Sequence, residues 1–237
     1  VGSEMCIRDR HILGCNVTVP YKNDVIPYLA QIDELAAKMG SVNTLVRVDG
    51  GYKGYNTDMT GLYRAMSSDG VSIQGEQVIV LGAGGVGRAV AFMCAAKGAA
   101  HVWLLNRTVE KADEVAKEVN LTEGRSCVET LAMSDYDKLA DEKYLVIQST
   151  SVGLYPHVED AVITDPAFYH KVKAGYDLIY RPWETRFMQL VKEQGAPAYN
   201  GLKMLLYQGI EAFELWNQCK IEDESAYKLY EMLRTTV

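Results

Sequence analysis

Lys22 closes the run GCNVTVPYK, residues 14–22, behind two valines, a threonine, a proline and an aromatic. A lysine ammonium is a compact proton donor; desolvation lowers its pKa and a neighbouring carboxylate raises it. Two readings are open on these residues alone: a solvated surface charge, or a cation held by a turn at Pro20 where its proton is used. A second constellation is VIVLGAGGVGRAV, which sets Gly82, Gly84 and Gly87 in G-x-G-x-x-G spacing, with Ala83, Gly85 and Val86 between them. Such a loop turns tightly at the first glycine and lets backbone approach a pyrophosphate at the second. The third lets helix pack close to strand. The match is informative because an apolar strand precedes it, a helix follows, and a second strand comes next. About 20 residues on, a site for NAD places an acidic residue to hold the ribose 2′-hydroxyl. This chain has LLNRTVEKA, with Asn106, Arg107, Thr108 and then Lys111. Cations and a hydroxyl without a carboxylate suit a 2′-phosphate, which favours NADP.

Elements must position these groups. Residues 12–20 read as a strand ending at Pro20. IPYLAQIDELAAKMG has helical spacing over Leu29, Ile32, Leu35, Ala36 and Met39, stopped by Gly40. TLVRVDGGYKGYNTD reads as a hairpin, and MTGLYRAMSSDG as a short helix. From about residue 75 strands alternate with helices: QVIVL, GRAVAFMCAAKG, HVWLLN, VEKADEVAKEVN, YLVIQST, AGYDLIY and ETRFMQLVKEQG. That alternation predicts an α/β fold with a doubly wound parallel sheet covered on both faces. The last part of the chain is helical.

Length and composition bound the rest. The 237 residues are 48% hydrophobic and allow two modest domains with real cores. A formal net charge of −7 argues against a nucleic-acid surface. The five scattered cysteines include no C-x-x-C pair, and the four histidines no H-E-x-x-H. Free thiols in a reducing cytoplasm are expected, with no metal site. No apolar run is long enough to span a bilayer. Residues 1–10, VGSEMCIRDR, fit neither a signal peptide nor an element and read as a non-native segment.

NVTVPYK, GSVNT, GYNTDMTG, LGAGGVGRAV, NRT, STSVGLYP, DLIYRPWETRFM and NGLKMLLYQGIEAFELW occur in that order. Together, over about residues 12–237, they resemble the shikimate dehydrogenase family, with the quinate/shikimate dehydrogenases next. The resemblance implies NADP-linked reduction of 3-dehydroshikimate to shikimate in aromatic amino-acid biosynthesis. It also implies a Rossmann-type cofactor domain over 73–202 and a smaller α/β substrate domain over 11–72 plus 203–237, with the site between them. Lys22 then matches the catalytic lysine and Asp58 its partner, while an N-cap role for Asp58 at TDMTG stays open. Thr18, Asn43, Gln208 and Tyr180 match substrate-binding positions. The Gly82–Gly87 loop, Asn106, Arg107, Thr108, and Thr150 and Ser151 of STSVG match the cofactor site; Gly201 and Met204 lie where the family approaches the nicotinamide. Small molecules are the implied partners, for a monomer or homodimer. The family's opening Ser-x-Ser segment has no counterpart, so the chain is expected to be N-terminally incomplete. Gln148 and Asn200 stand where Asn and Asp are more usual. Two rivals remain: a quinate/shikimate dehydrogenase of broader substrate and cofactor use, and a dinucleotide-binding fragment without turnover. A methylene-tetrahydrofolate dehydrogenase fits less well, because GYNTD and the Gln208 segment have no role there.

Overall fold

The computed structural model describes residues 12–236, so the non-native segment expected at 1–10 lies outside the described residues. The first elements among the described residues are β1 (Gly14–Asn16), a 3-10 turn at Ile26–Tyr28, β2 (Gln31–Ile32) and α1 (Glu34–Met39). Next come the hairpin β3 (Thr44–Val48) and β4 (Gly51–Tyr55), and then α2 (Thr57–Ser68). The four strands form one sheet in the order β1-β3-β4-β2. The hairpin pairs antiparallel from Thr44 opposite Tyr55 to Val48 opposite Gly51. Gly50 turns it at φ +83°, a conformation that side chains disfavour.

Two elements are shorter than their spacing predicts. The helical pattern over residues 26–39 yields only the six residues of α1. Asp33 sets its start, because the carboxylate accepts from the Leu35 and Ala36 N–H groups. Just upstream, Gln31 and Ile32 pair with Lys53 and Gly54 of β4 instead of continuing a helix. Gly40, in the left-handed region at φ 56°, ends it. The strand expected over 12–20 is limited to β1, and the Tyr21 N–H donates to Thr18 O at 2.9 Å in a turn with a cis bond before Pro20.

Beyond residue 76 the elements are β5 (Gln77–Leu81), α3 (Gly85–Ala96), β6 (His101–Asn106), α4 (Val109–Glu123), β7 (Val128–Ala132) and β8 (Tyr144–Gln148). They continue as α5 (Pro166–Tyr169), β9 (Val172–Asp177), α6 (Arg186–Glu193), β10 (Ala198–Tyr199), α7 (Leu202–Asn217) and α8 (Asp223–Arg234). The six strands pair in the order β10-β9-β8-β5-β6-β7, all parallel. This is the doubly wound arrangement, with its reversal point between β5 and β8. β7 and β10 carry little apolar signal of their own, and the sequence pattern did not reveal them.

The chain leaves the small sheet through α2, and after β10 it returns as α7, which packs along α2. Gly61 makes that packing close: a Cβ there would sit 2.6 Å from Gln208 N. One apolar cluster joins Leu62 and Met66 of α2, Phe92 and Met93 of α3, Val78 and Val80 of β5, and Tyr207 and Ile210 of α7. The two sheets therefore meet over a shared core.

Candidate active site

Asp58 lies in the first turn of α2, but Asn56 is the cap: its Oδ1 accepts from the Met59 N–H at 3.2 Å. A further orphan donor, the Thr57 N–H, is met by Asn43 Oδ1 at 2.7 Å. The Asp58 carboxylate is thus left free of capping, and it accepts from Lys22 Nζ at 2.6 Å. An acidic group in the first turn is also favoured by the helix dipole. Lys22 is held from behind as well, since its carbonyl accepts from the Val42 N–H at 2.8 Å. Lys22 and Asp58 line a cavity of about 510 Å3 with Pro20, Gly85, Val86 and Met204, so the pair faces the glycine loop.

That loop has the shape its residue types require. Gly82 has φ +101°, and a Cβ on Gly87 would lie 1.9 Å from Gly82 O. Gly84 and Gly85, by contrast, border open space. α3 begins at Gly84 without a side-chain cap, so its leading N–H groups are open toward that space. An empty floor, uncapped donors and a positive helix end together fit a pyrophosphate. Asn106 Oδ1 accepts from the Ala83 N–H at 3.0 Å while its amide donates to Thr108 O at 2.8 Å, tying loop and β6 together. Asn106 and Arg107 line a second cavity of about 840 Å3 with Thr150, Ser151, Met133 and Tyr136. Glu159, Asp160 and Asp165 also line it, and Asp165 is engaged by the Tyr136 hydroxyl at 2.5 Å.

A buried polar hub supports the turn between the cavities. Gln148 at the end of β8 accepts from the Thr150 N–H at 2.5 Å and donates to Val152 O and to Asp177 Oδ1. Asp177, fully buried, also accepts from the Thr185 hydroxyl at 2.6 Å and the Ile179 N–H at 2.9 Å. Burial pushes its carboxyl up to about 6, against the pull of those three donors. Gly201 lies against Leu178, whose carbonyl oxygen would be 2.2 Å from a Cβ there.

The remaining expected residues are placed as follows. Asn43 is buried and its Oδ1 is committed to Thr57 and Thr44. Gln208 stands on α7 against Gly61, one turn from Asp58, and its amide donates to Leu205 O. Thr18, Thr108 and Lys111 are exposed, and Tyr180 is 39% exposed. Thr18, Asn43, Tyr180, Gln208, Thr108, Lys111 and Gly201 line neither of these two cavities. Sequence reasoning missed Ser41, Asn56, Met59 and Arg88 around Lys22, and Met133 and Tyr136 by Arg107. Met133 follows the C-terminal end of β7, where ligands of open parallel sheets bind, so detecting that strand would have found it.

Three family models match in order: the shikimate dehydrogenase substrate binding domain over residues 5–45, shikimate/quinate 5-dehydrogenase over 65–163, and the shikimate 5′-dehydrogenase C-terminal domain over 201–227. The chain is 40% identical over 205 residues to a shikimate dehydrogenase (NADP(+)) of Moorella thermoacetica, covering 86% of this chain and 69% of that protein. It is similar to a Thermus thermophilus shikimate 5-dehydrogenase solved with NADP(H) and shikimate (TM-score 0.77, 32% identity, 94% of this chain and 80% of that one). It is also similar to a Corynebacterium glutamicum quinate dehydrogenase solved with NAD (TM-score 0.83, 27% identity, 95% and 78%).

Proposed function

This chain belongs to the shikimate dehydrogenase family, and we propose on that premise how its residues carry the NADP-dependent, reversible reduction of 3-dehydroshikimate to shikimate. The observation that carries the reading is the Lys22–Asp58 pair, at 2.6 Å, in one cavity with Gly85 and Val86 of the phosphate loop. When bound, the nicotinamide supplies the hydride. A ketone that accepts hydride becomes an alkoxide, and Lys22 gives a proton to that oxygen. Asp58 orients the ammonium and accepts from the same substrate hydroxyl. In the oxidation direction the deprotonated Lys22 takes the hydroxyl proton. Thr18, Asn43, Gln208 and Tyr180 are the substrate-binding groups of this reading. For Asn43 only the amide N–H groups serve, because Oδ1 caps α2.

The loop 82–87 and the start of α3 hold the pyrophosphate, with Asn106 fixing the loop. Arg107 and Thr108 meet the 2′-phosphate, with Lys111 one turn on. Gly201 and Met204, with Thr150 and Ser151, border the nicotinamide. The partners of this reading are small molecules, for a monomer or a homodimer. The free thiols Cys15 and Cys219 support a cytoplasmic location. Among the described residues no helix is long and apolar enough to cross a membrane.

A quinate/shikimate dehydrogenase is the second reading, favoured by the likeness to the quinate enzyme. Steady-state kinetics with shikimate and quinate, each against NADP and NAD, decides between them. Shikimate with NADP should give the highest kcat/KM, and equal use of quinate would support the second reading. NADPH binding with no turnover of either acid would instead mark a binding protein. Lys22→Ala should keep NADPH affinity and lose about 10²–10⁴ in kcat, and near-normal turnover would overturn the proton-donor role.

A further inference from the structure

Arg88 sits in the first turn of α3, immediately past the glycine loop, and its own N–H donates to Gly84 O at 2.8 Å. Its side chain spans from the cofactor half to the small-sheet half. Nε, at 2.9 Å, and Nη2 grip the two carboxylate oxygens of Glu118 on α4, and the guanidinium lies 4.8 Å over the Phe92 ring. So fixed, its remaining nitrogen, Nη1, donates to Met39 O, the last carbonyl of α1 in the small-sheet half. The C-terminal end of a helix favours a cation. Beside it, Lys38 reaches Glu123 of α4 at 3.2 Å, so α1 is held to the cofactor half at two points.

The residues after Met39 connect this contact to the chemistry. Ser41 O accepts from Asn56 Nδ2 at 3.0 Å, and Asn56 caps the helix that bears Asp58. The Val42 N–H donates to Lys22 O at 2.8 Å. Arg88 therefore grips one end of the four-residue segment 39–42, whose other end holds both members of the Lys22–Asp58 pair. It also lines their cavity.

We propose that Arg88 is a positioning residue for the reaction: a clasp that sets the phosphate-loop helix, and hence the cofactor, at a fixed separation from Lys22 and Asp58. The chemical part rests on the function proposed above; the geometric part does not. Three aligned donors are needed, two for Glu118 and one for Met39, and lysine cannot supply them in that fork. A rival account makes Arg88 only an α3–α4 ion pair, which would affect stability and nothing else.

The test compares Arg88→Ala, Arg88→Lys and Glu118→Gln by NADPH fluorescence titration, thermal melting, steady-state kinetics and the isotope effect on shikimate deuterated at the carbinol carbon. The clasp predicts that Arg88→Ala leaves the NADPH Kd within about threefold while kcat falls about tenfold or more and the isotope effect grows. Arg88→Lys recovers only a minor part of the loss, and Glu118→Gln, which frees the guanidinium, shows a smaller fall of the same kind. A lowered melting temperature with kcat and isotope effect unchanged overturns the proposal, as does full rescue by lysine. If Arg88→Ala does not fold, Glu118→Gln carries the same criteria. Spin labels at Tyr28 and Leu121, both 85% exposed and one in each half, report the separation without turnover, with Cys6, Cys15 and Cys219 changed to serine. The NADPH-bound distance distribution should lengthen or broaden in Arg88→Ala, and one matching the parent overturns the clasp. A parent protein without turnover refutes the assigned reaction and leaves the clasp to be judged on that distance.

Discussion

Gly61→Ala tests the claim that α2 and α7 are registered by a backbone contact. A Cβ at Gly61 would lie 2.6 Å from Gln208 N and 2.8 Å from Gln208 Cα, and no side-chain rotation relieves a backbone clash. Ordinary contact begins at 3.4 Å, so α7 must retreat by about 0.8 Å at this point. Alanine would gain about 1 kcal/mol of helix propensity over glycine in a free helix. Overpacking a tight interface costs about 1–3 kcal/mol, and the buried Leu62 and Tyr207 beside the contact lose packing too. We expect a net loss of about 1–2 kcal/mol, read as a fall of about 3–6 °C in melting temperature for a chain of this size. Asp58 and Gly61 share a face of α2, so the same retreat draws Gln208 away from the pair. The KM for shikimate should rise by about tenfold or more while the KM for NADP holds, since a displacement near 1 Å costs on the order of 10². Urea melts and two-substrate kinetics on one preparation read both effects. A variant stabilised by about 1 kcal/mol, with shikimate KM unchanged, would refute the reasoning.

Two further outcomes follow from the cofactor half. Arg107→Ala should raise the KM for NADP by about tenfold or more and leave that for NAD within about twofold, because a charge-assisted bond contributes about 1.5–3 kcal/mol; parallel kinetics with both cofactors check this, and equal losses would remove Arg107 from the 2′-phosphate. Asp177, whose carboxyl is pushed up to about 6 in the fold, binds its proton more tightly folded than unfolded, so its contribution is full below about pH 4 and falls as pH rises to about 6. The difference in urea stability between the parent and Asp177→Asn should fall by on the order of 3 kcal/mol across that window and stay flat above it; a difference constant from pH 4 to 7 would refute the raised carboxyl.

Much of the cofactor half was legible because its signals are local. Gly82, Gly84 and Gly87 are adjacent in sequence and function through their own backbone, and β5 and β6 are compact apolar runs. The strands read least well were those whose identity depends on a distant partner. Ala198 and Tyr199 are a strand only because Gly175 and Tyr176 lie beside them. Gln31 and Ile32 fit a helical stripe until Asp33 caps a later start. The same holds at the site. Lys22 was visible as a candidate, but its partner is 36 residues away; the Asn56 cap is local, whereas the Asn43 bond that completes the capping and frees Asp58 is tertiary. Arg88 was hidden in plain view next to the loop, since nothing local says that its third donor crosses to Met39.

The Lys22–Asp58 contact has a consequence for how the reaction is driven. On the proposed chemistry, each reduction leaves the pair one proton short and one negative charge in the cavity, and the next cycle cannot begin until that proton is replaced. The side chains keep 26% and 22% of their surface exposed, so bulk water reaches them directly and no relay of further groups is required. The reduction consumes one proton whichever group delivers it, so each unit of alkalinity moves the equilibrium ratio of alcohol to ketone about tenfold toward the ketone. Exposure at this one ion pair does not set that balance; it lets the pair regain its proton from bulk water between turnovers.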